Sequence, residues 1–314
     1  MFHPPLNGPG RESVAAPGLL PGGAPVPAVP GGPAPTERAK AMVRVGTRGY
    51  SGPEWAAAGV FSPETPAGRT LAPYARRFPA VELDFAAFQM PRAEAMARTL
   101  RQVPPGFRFA VPLNRRLTHE VEPTRWREHA AQFREGIDPL ADAERLGAVL
   151  VRFPFRFHRE AESRRYLAAL LDALSGLPLA VEFRHRSWDC DRVIAGLERR
   201  NVALVAADLP RLPAAFPPHA VVTSRDRFYV RLHGRHPEGW TSGDRQRRAA
   251  YDYADGELDR WAGRIRRMAD LAAEGFVFFT NHVRGGAVRD ARRMAARLAG
   301  LAPAEAPWTG PFST

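Results

Sequence analysis

Apolar and polar positions alternate along this chain in two different patterns. Short apolar runs of strand length are separated by longer stretches in which apolar residues recur at helical spacing. The spacing predicts strands over residues 43–46, 80–85, 108–112, 148–153, 179–183, 202–207, 228–232 and 276–279. Eight strands that alternate with helices favour an α/β fold, a single TIM-type (β/α)8 barrel, over a doubly wound open sheet.

Helical periodicity follows most of these strands. It predicts helices over residues 71–78, 92–102, 126–133, 160–174, 191–200, 257–274 and 287–298. The connection after the sixth strand is rich in proline, and we expect at most a poor helix there.

The two ends of the chain differ from this regular middle. Residues 1–36 hold ten Pro and seven Gly, a composition that does not support a packed core. We therefore predict a disordered leader over residues 1–41, a barrel over 42–301 and a loose tail over 302–314. The leader is either a flexible extension or a mis-assigned start, since Met42 directly precedes the first strand.

The chain is strongly basic. Its formal net charge is +12, and of its 45 Lys and Arg residues only Lys40 is lysine. That bias favours a compositional origin for much of the charge, but a positive field still concentrates anions near a cleft. The partners it suggests are an anionic small molecule or a nucleic acid, and nothing indicates an obligate protein partner.

The single cysteine, Cys190, excludes an intramolecular disulfide and a multi-cysteine metal site. This fits a reducing compartment, so we expect a cytoplasmic protein. No segment approaches the roughly 20 apolar residues of a membrane span, and we expect no membrane association.

Charged residues stand inside or just after several predicted strands. Glu82 lies in the second, Glu182 and Arg184 lie at the end of the fifth, and Arg231 and His233 lie at the end of the seventh. Charges near buried strands are costly unless they are paired or used. Functional residues of a parallel barrel lie at the carboxyl ends of its strands. The pattern predicts a site at that end.

The two carboxylates and the two arginines allow two interpretations. Glu82 and Glu182 can serve as acid and base or bind a cation, whereas Arg184 and Arg231 can bind a carboxylate or phosphate. Alternatively, these four side chains neutralise one another as part of the barrel rim.

Histidines follow the fifth, seventh and eighth strands. His233 is the strongest catalytic candidate, because Gly234 allows the backbone to approach a ligand. His185, Trp188 and Asn281 are candidates for substrate binding, although Trp188 also suits the core. Asp208 and His282 are candidate ligands of a divalent metal, but no HxH or HExxH spacing supports that site, and the cofactor stays open.

The chain resembles the YecE-like proteins, known as domain of unknown function 72. The resemblance spans about residues 43–298 and rests on a series of short blocks. They are Val45-Gly46-Thr47-Arg48-Gly49-Tyr50 with Trp55, Ala180 to His185 with Ser187-Trp188, Asp208-Leu209-Pro210, Tyr229 to Gly234, and Phe278 to His282. It implies a TIM-type barrel and no settled activity.

Several positions depart from the family pattern. The family usually carries V-E-I-N-S-T-F-Y-R-x-P where residues 81–91 stand, and Thr, Tyr and Arg of that pattern are missing. Pro112 replaces a usual Lys, Arg152 a usual Gln, Thr280 a usual Asn and Asp290 a later Asn. These changes put the ligand usual for the family in doubt for this chain.

The leading hypothesis is an enzyme that acts on an anionic substrate, phosphorylated or nucleic acid, as a phosphoester hydrolase. In it, His233 and Glu182 perform acid–base chemistry, Arg184 and Arg231 bind the anion, and Asp208 and Glu82 orient groups or bind metal. Two alternatives remain: a sugar-type isomerase, by analogy of fold alone, and a barrel that binds an anion or nucleic acid without catalysis.

Overall fold

Eight parallel strands close into a barrel in the computed structural model, which describes residues 41–301. The strands are β1 Met42–Arg48, β2 Ala80–Glu82, β3 Arg108–Pro112, β4 Leu146–Arg152, β5 Leu179–Glu182, β6 Ala203–Asp208, β7 Arg227–Leu232 and β8 Glu274–Phe279. Each strand pairs with the next, and β8 returns to β1, where Val277 lies opposite Val45. The predicted (β/α)8 barrel is confirmed. The predicted leader and tail lie outside the described residues.

Helices cover the outside of the barrel. They are α1 Pro53–Ala57, α2 Leu71–Ala75, α3 Ala93–Leu100, α4 Trp126–Asp142, α5 Ala161–Ala173, α6 Asp191–Arg199, α7 Pro237–Thr241, α8 Arg245–Ala249, α9 Asp255–Ala269 and α10 Gly286–Arg297. In α9, Leu258, Trp261 and Ile265 recur at helical spacing and are buried in the core. None of the helices within residues 41–301 is both long and apolar enough to cross a membrane.

Several predicted boundaries were wrong. The second strand ends at Glu82 because the chain turns immediately into a 3-10 helix, Asp84–Ala87. The helix predicted over 257–274 ends at Ala269, since Glu274 already pairs in β8. The helix predicted over 126–133 continues to Asp142.

The connections after β6 and β7 differ from each other. Residues 209–226, after β6, contain no helix, as the prolines of that stretch suggest. The short helices α7 and α8 follow β7 and were not predicted. Side chains of α8 line the cavity described below, so this connection covers part of the barrel mouth.

The inside of the barrel is filled unevenly. Small residues face inward from five neighbouring strands, and the rings of Tyr229, Phe276 and Phe278 occupy the space that they leave. At Gly147, any Cβ atom would come within 2.4 Å of the Phe276 ring. Side chains alternate along a strand, so the residue two positions after an inward-facing one also faces inward. This rule directs polar residues at the strand ends into the mouth.

Candidate functional site

A buried arginine joins two carboxylates at the floor of the mouth. Arg231 on β7 donates two hydrogen bonds to Glu82 on β2, Nε to Oε2 at 3.0 Å and Nη2 to Oε1 at 2.8 Å. Its Nη1 donates to Glu182 on β5. The Tyr229 hydroxyl donates to Glu82 Oε2 at 2.9 Å. These four side chains are 0–1 % exposed. The charges therefore neutralise one another in the interior, as the second interpretation expected.

The ionisation of Glu182 is fixed by its neighbours. Burial by itself would raise the pKa of Glu182, but Arg184 and Arg231 hold that pKa well below its ordinary value. Arg184 Nη2 lies 2.7 Å from Glu182 Oε1, and His233 Nε2 lies 3.3 Å from the same oxygen. Glu182 is therefore a carboxylate at neutral pH and holds both side chains in place.

His233 stands next to this network and lines the mouth. Burial, together with the charges of Arg231 and Arg184, holds the pKa of His233 well below its usual value, so its ring is neutral at pH 7. Its Nδ1 lies 2.8 Å from the hydroxyl of Thr280, the residue that follows β8. Both ring nitrogens thus have defined neighbours.

Above the floor lies a cavity of about 580 Å³, a size suited to a small molecule. Its described lining contains seven arginines and only two carboxylates, Glu54 and Asp84. The arginines are Arg48, Arg115, Arg152, Arg184, Arg231, Arg245 and Arg248. The cavity is therefore strongly positive.

Two of these arginines stand at the ends of β4 and β5 and have donors that no carboxylate uses. Arg152, at the end of β4, makes no hydrogen bond or ion pair with any residue of the described chain. Burial, reinforced by Arg231, lowers its pKa to about 10. Arg184 is 10 % exposed, and its buried Nη1 has no hydrogen-bond partner within residues 41–301. Burial lowers the pKa of Arg184 to about 9, with Arg152 contributing. A buried donor without a partner is costly, and Arg184 Nη1 is such a donor. Arg152 is half-buried beside it in the cavity lining.

His119, in the connection after β3, lies among the same arginines. Burial, followed by the charges of Arg152, Arg156, Arg115 and Arg184, lowers the pKa of His119 to about 4. Its Nδ1 lies 2.8 Å from the Thr118 hydroxyl. At neutral pH, His119 adds a neutral hydrogen-bonding group to the wall.

Trp240 on α7 holds two arginines in place. The guanidinium of Arg184 lies 4.8 Å from the centre of its ring, and that of Arg248 lies 4.5 Å from it. The ring also meets His233 edge-on at 5.7 Å. The face of an indole ring attracts cations, so Trp240 stabilises both guanidinium groups near it.

The opposite wall, from β1, β2 and β8, has mixed charge. Arg48 Nη2 lies 3.7 Å from Asp84 Oδ2. Burial raises the pKa of Asp84, and Arg48 partly opposes that effect. His282 stacks on Trp55 with ring centres 6.3 Å apart. The positive potential is therefore concentrated at the ends of β4, β5 and β7.

The comparisons with known proteins decide the family. The model of the family described as "Protein of unknown function DUF72" matches residues 44–311. The chain belongs to this family. The predicted resemblance to the YecE-like proteins is thereby confirmed.

Relatives and solved structures agree with this result. The chain is 25 % identical to the UPF0759 protein YunF of Bacillus subtilis, over 83 % of this chain and 98 % of YunF. It is 26 % identical to YecE of Escherichia coli, over 59 % of this chain and 66 % of YecE. A DUF72 crystal structure from Thermotoga maritima matches with a TM-score of 0.74 and 31 % identity, over 82 % of this chain and 99 % of that one. One from Enterococcus faecalis matches with a TM-score of 0.75 and 27 % identity, over 85 % and 100 %.

Within this DUF72 barrel, five of the predicted site residues come together. They are Glu82, Glu182, Arg184, Arg231 and His233. His282 also lines the cavity, on its mixed wall.

Three predicted substrate-binding residues do not line the cavity. Asn281 is fully buried, and its Nδ2 donates to Tyr251 O at 2.7 Å and Asp290 Oδ2 at 2.8 Å. Trp188 is buried against Phe183, with ring centres 4.6 Å apart. His185 bonds Ser187 instead, with 2.9 Å between its Nδ1 and the Ser187 hydroxyl. The structure gives these side chains supporting contacts rather than a place at the cavity.

The predicted metal ligands do not form a ligand set. Asp208 accepts hydrogen bonds from Arg235 Nε at 2.9 Å and from the Tyr253 hydroxyl at 2.8 Å. No group of three or more His, Cys, Asp or Glu side chains within residues 41–301 is arranged to hold a metal ion. Asp208 and His282 therefore have no such group to join.

Several residues in or beside the cavity were not predicted from the sequence. Arg152 carried a usable signal, because it stands two residues after the inward-facing Leu150 at the end of a strand. It was noted only as a departure from the family pattern. His119 and Trp240 lie in connections without a strand period, where sequence alone does not indicate the direction of a side chain.

Proposed function

We propose that this protein binds a phosphate-bearing substrate in the mouth cavity and hydrolyses its phosphoester. The observation that carries the proposal is a pair of arginines in the cavity lining, Arg152 and Arg184. Within residues 41–301, Arg152 makes no hydrogen bond or ion pair, and Arg184 Nη1 has no hydrogen-bond partner. A bound anion would supply those missing partners. Arginine forks match the oxygens of a phosphate, and each charge-assisted bond is stronger than a neutral one.

The distribution of charge favours phosphate over a single carboxylate. Arg115, Arg152 and Arg184 all line the cavity and act electrostatically on His119, although Arg115 also pairs with Glu120 at 2.6 Å. We expect Arg152 and Arg184 to donate to the same ligand group. A tetrahedral phosphate has enough oxygens to accept from several donors at once, whereas a carboxylate has two. Small phosphorylated molecules and the phosphorylated end of a nucleic acid both present this group.

His233 supports a reaction in addition to binding. Its neutral ring lies beside the arginine wall and can accept a proton from a hydroxyl or water near the bound phosphate. Glu82 and Glu182 act here by holding Arg231 and His233, since their oxygens already face cationic or hydroxyl donors. Arg184 and its neighbours stabilise the charge that develops on the phosphoryl oxygens.

Isothermal titration with inorganic phosphate tests the binding claim. We expect Arg152→Gln to weaken phosphate binding by about tenfold or more, because one charge-assisted contact is lost. Arg199→Gln is the matched control, since Arg199 is exposed on α6 and does not line the cavity. Equal affinities in the two variants, or no binding by the unmodified protein, would overturn the proposal.

A second titration separates the possible sources of the phosphate. A short oligonucleotide is compared with and without a 5′-phosphate, beside a phosphorylated small molecule. Dependence on the terminal phosphate indicates recognition of a chain end at the cavity. Affinity that ignores the terminal phosphate and falls steeply with salt would place binding along the nucleic-acid backbone instead.

A further inference from the structure

Three side chains at the carboxyl ends of β5, β7 and β8 form a relay between the floor and the cavity. Glu182 Oε1 lies 3.3 Å from His233 Nε2. His233 Nδ1 lies 2.8 Å from Thr280 Oγ1. A carboxylate, an imidazole and a hydroxyl in this order are the parts of an activated hydroxyl nucleophile.

The charges in the relay determine the direction of the protons. Glu182 is ionised, so the hydrogen of the neutral His233 ring is best placed on Nε2, which faces that carboxylate. Arg231 Nη1 also lies 3.5 Å from His233 Nε2. In the tautomer with its hydrogen on Nε2, Nδ1 carries a lone pair that can accept the hydrogen of the Thr280 hydroxyl, 2.8 Å away. That tautomer gives Thr280 a base.

Thr280 is also held and accessible in the way that a nucleophile requires. Its backbone N–H donates to Leu232 O at 3.0 Å, and its carbonyl lies 3.2 Å from His282 Nδ1. The residue is 6 % exposed, and it lines the same cavity as Arg152 and Arg184. A phosphate held by the arginine wall would lie in the same cavity as this hydroxyl.

We propose that the Thr280 hydroxyl is the nucleophile of the site, with His233 as its base and Glu182 as the group that orients His233. This inference rests on the proposed phosphoester hydrolysis and adds a covalent intermediate to it. Thr280 Oγ bonds to phosphorus, its proton passes to His233 Nδ1, and the bond from phosphorus to the leaving oxygen breaks. The leaving oxygen then takes the proton from His233.

A water molecule completes the cycle. It attacks the phosphorus of the phosphothreonine and gives one proton to His233 Nδ1. The bond between Thr280 Oγ and phosphorus breaks, the threonine oxygen takes that proton back, and inorganic phosphate leaves. No electrons are gained or lost, and water is the only co-reactant.

Hydrolysis of the phosphothreonine is reversible, and its reverse requires only inorganic phosphate. The step can therefore be tested without the natural substrate. In water enriched in ¹⁸O, formation and hydrolysis of the phosphothreonine exchange phosphate oxygens for water oxygens. We expect the full chain to exchange ¹⁸O into phosphate, Thr280→Val to lose the exchange at least a hundredfold, and Thr280→Ser to retain it. Mass spectrometry of the phosphate measures the rate.

Phosphate titration of the same variants separates the two proposals. Thr280→Val should keep phosphate affinity within a few-fold, because it leaves the arginine wall intact, and Thr280→Ala takes its place if the valine variant does not fold. Bound phosphate without exchange in the unmodified chain, or equal exchange in Thr280→Val, would overturn the nucleophile and leave the binding proposal standing. Absence of phosphate binding would overturn the proposed function itself.

Discussion

Arg231 and Glu82 meet across the inside of the barrel, joined by two parallel hydrogen bonds of 3.0 and 2.8 Å. They lie on β7 and β2, which are not neighbours in the sheet. A second carboxylate, Glu182, occupies the remaining side of the same guanidinium. Arg231 is therefore already satisfied within the protein, and the anion-binding role that we propose falls to Arg152 and Arg184.

Removal of Arg231 tests its structural role. Arg231→Met leaves two buried carboxylates without their shared partner, and we expect the free energy of unfolding to fall by about 3–5 kcal/mol. Urea denaturation measures the change. Arg125→Met removes an exposed ion pair with Glu128 and should change little. An equal effect of both variants would contradict the buried network.

Removal of the Arg152 charge should stabilise the fold, in contrast to removal of Arg231. Its charged form is disfavoured in the fold, which lowers its pKa to about 10. Between pH 10 and 12.5 the unfolded chain therefore binds more protons than the folded chain. Below pH 10 both are protonated, so at pH 7 the folded state bears the full free-energy cost of burying the charged guanidinium. We expect Arg152→Gln to raise the free energy of unfolding by about 1–2 kcal/mol at pH 7 in phosphate-free buffer, after allowance for partial solvent screening.

Added phosphate should narrow this difference. A ligand that binds only the folded state stabilises it by an amount that grows with the logarithm of its concentration over its Kd. Phosphate should therefore stabilise the unmodified chain more than Arg152→Gln, by about 1.4 kcal/mol for each tenfold difference in Kd. Destabilisation by Arg152→Gln in phosphate-free buffer would show that Arg152 has a structural partner.

The sequence predicts the residues of this site that lie within strands, because side chains alternate there between the inside and the outside of the barrel. Alternation within the strands places Glu82, Glu182 and Arg231 correctly, because each follows an inward-facing residue by two positions. Asn281 stands one position after Thr280, so the same alternation turns it away from the cavity. Its residue type suggested a binding role, although the alternation of side chains places it away from the cavity.

Connections outside the strands follow no such rule. His185 begins a 3-10 turn, and Trp240 lies on a helix that was not predicted. Their side-chain directions depend on contacts made with distant residues, such as Arg184 with Trp240. Fold and strand-end chemistry were therefore predictable, whereas the loop contribution to the cavity required the structure.

The pH dependence of stability reports on His119. Its folded pKa is about 4, below the ordinary value of 6.5, so the unfolded chain binds an extra proton between these values. Stability from this group is present above pH 6.5 and is lost as pH falls toward 4. We expect His119→Gln to reduce the slope of unfolding free energy against pH by up to about 1.4 kcal/mol per pH unit in this window. Urea denaturation at pH 5 and 6 measures the slope, and an unchanged slope would contradict the neutral His119.

Trp240 should matter for anion affinity through the two arginines that it contacts. Trp240→Phe offers a weaker π-face to Arg184 and Arg248, and we expect the Kd for phosphate to rise by about two- to fivefold. Trp126→Phe is the matched control, because Arg127 lies 4.4 Å from that ring on α4, away from the cavity. The same loss in both variants would show a general effect of tryptophan removal.

The position of a bound anion tests the central claim most directly. Crystals of the protein are soaked in tungstate, a tetrahedral dianion that scatters anomalously. The account predicts an anomalous peak in the mouth cavity, with tungstate oxygens within about 3.2 Å of the guanidinium nitrogens of Arg152 and Arg184. An empty cavity beside peaks at exposed arginines would contradict an anion site in the barrel mouth.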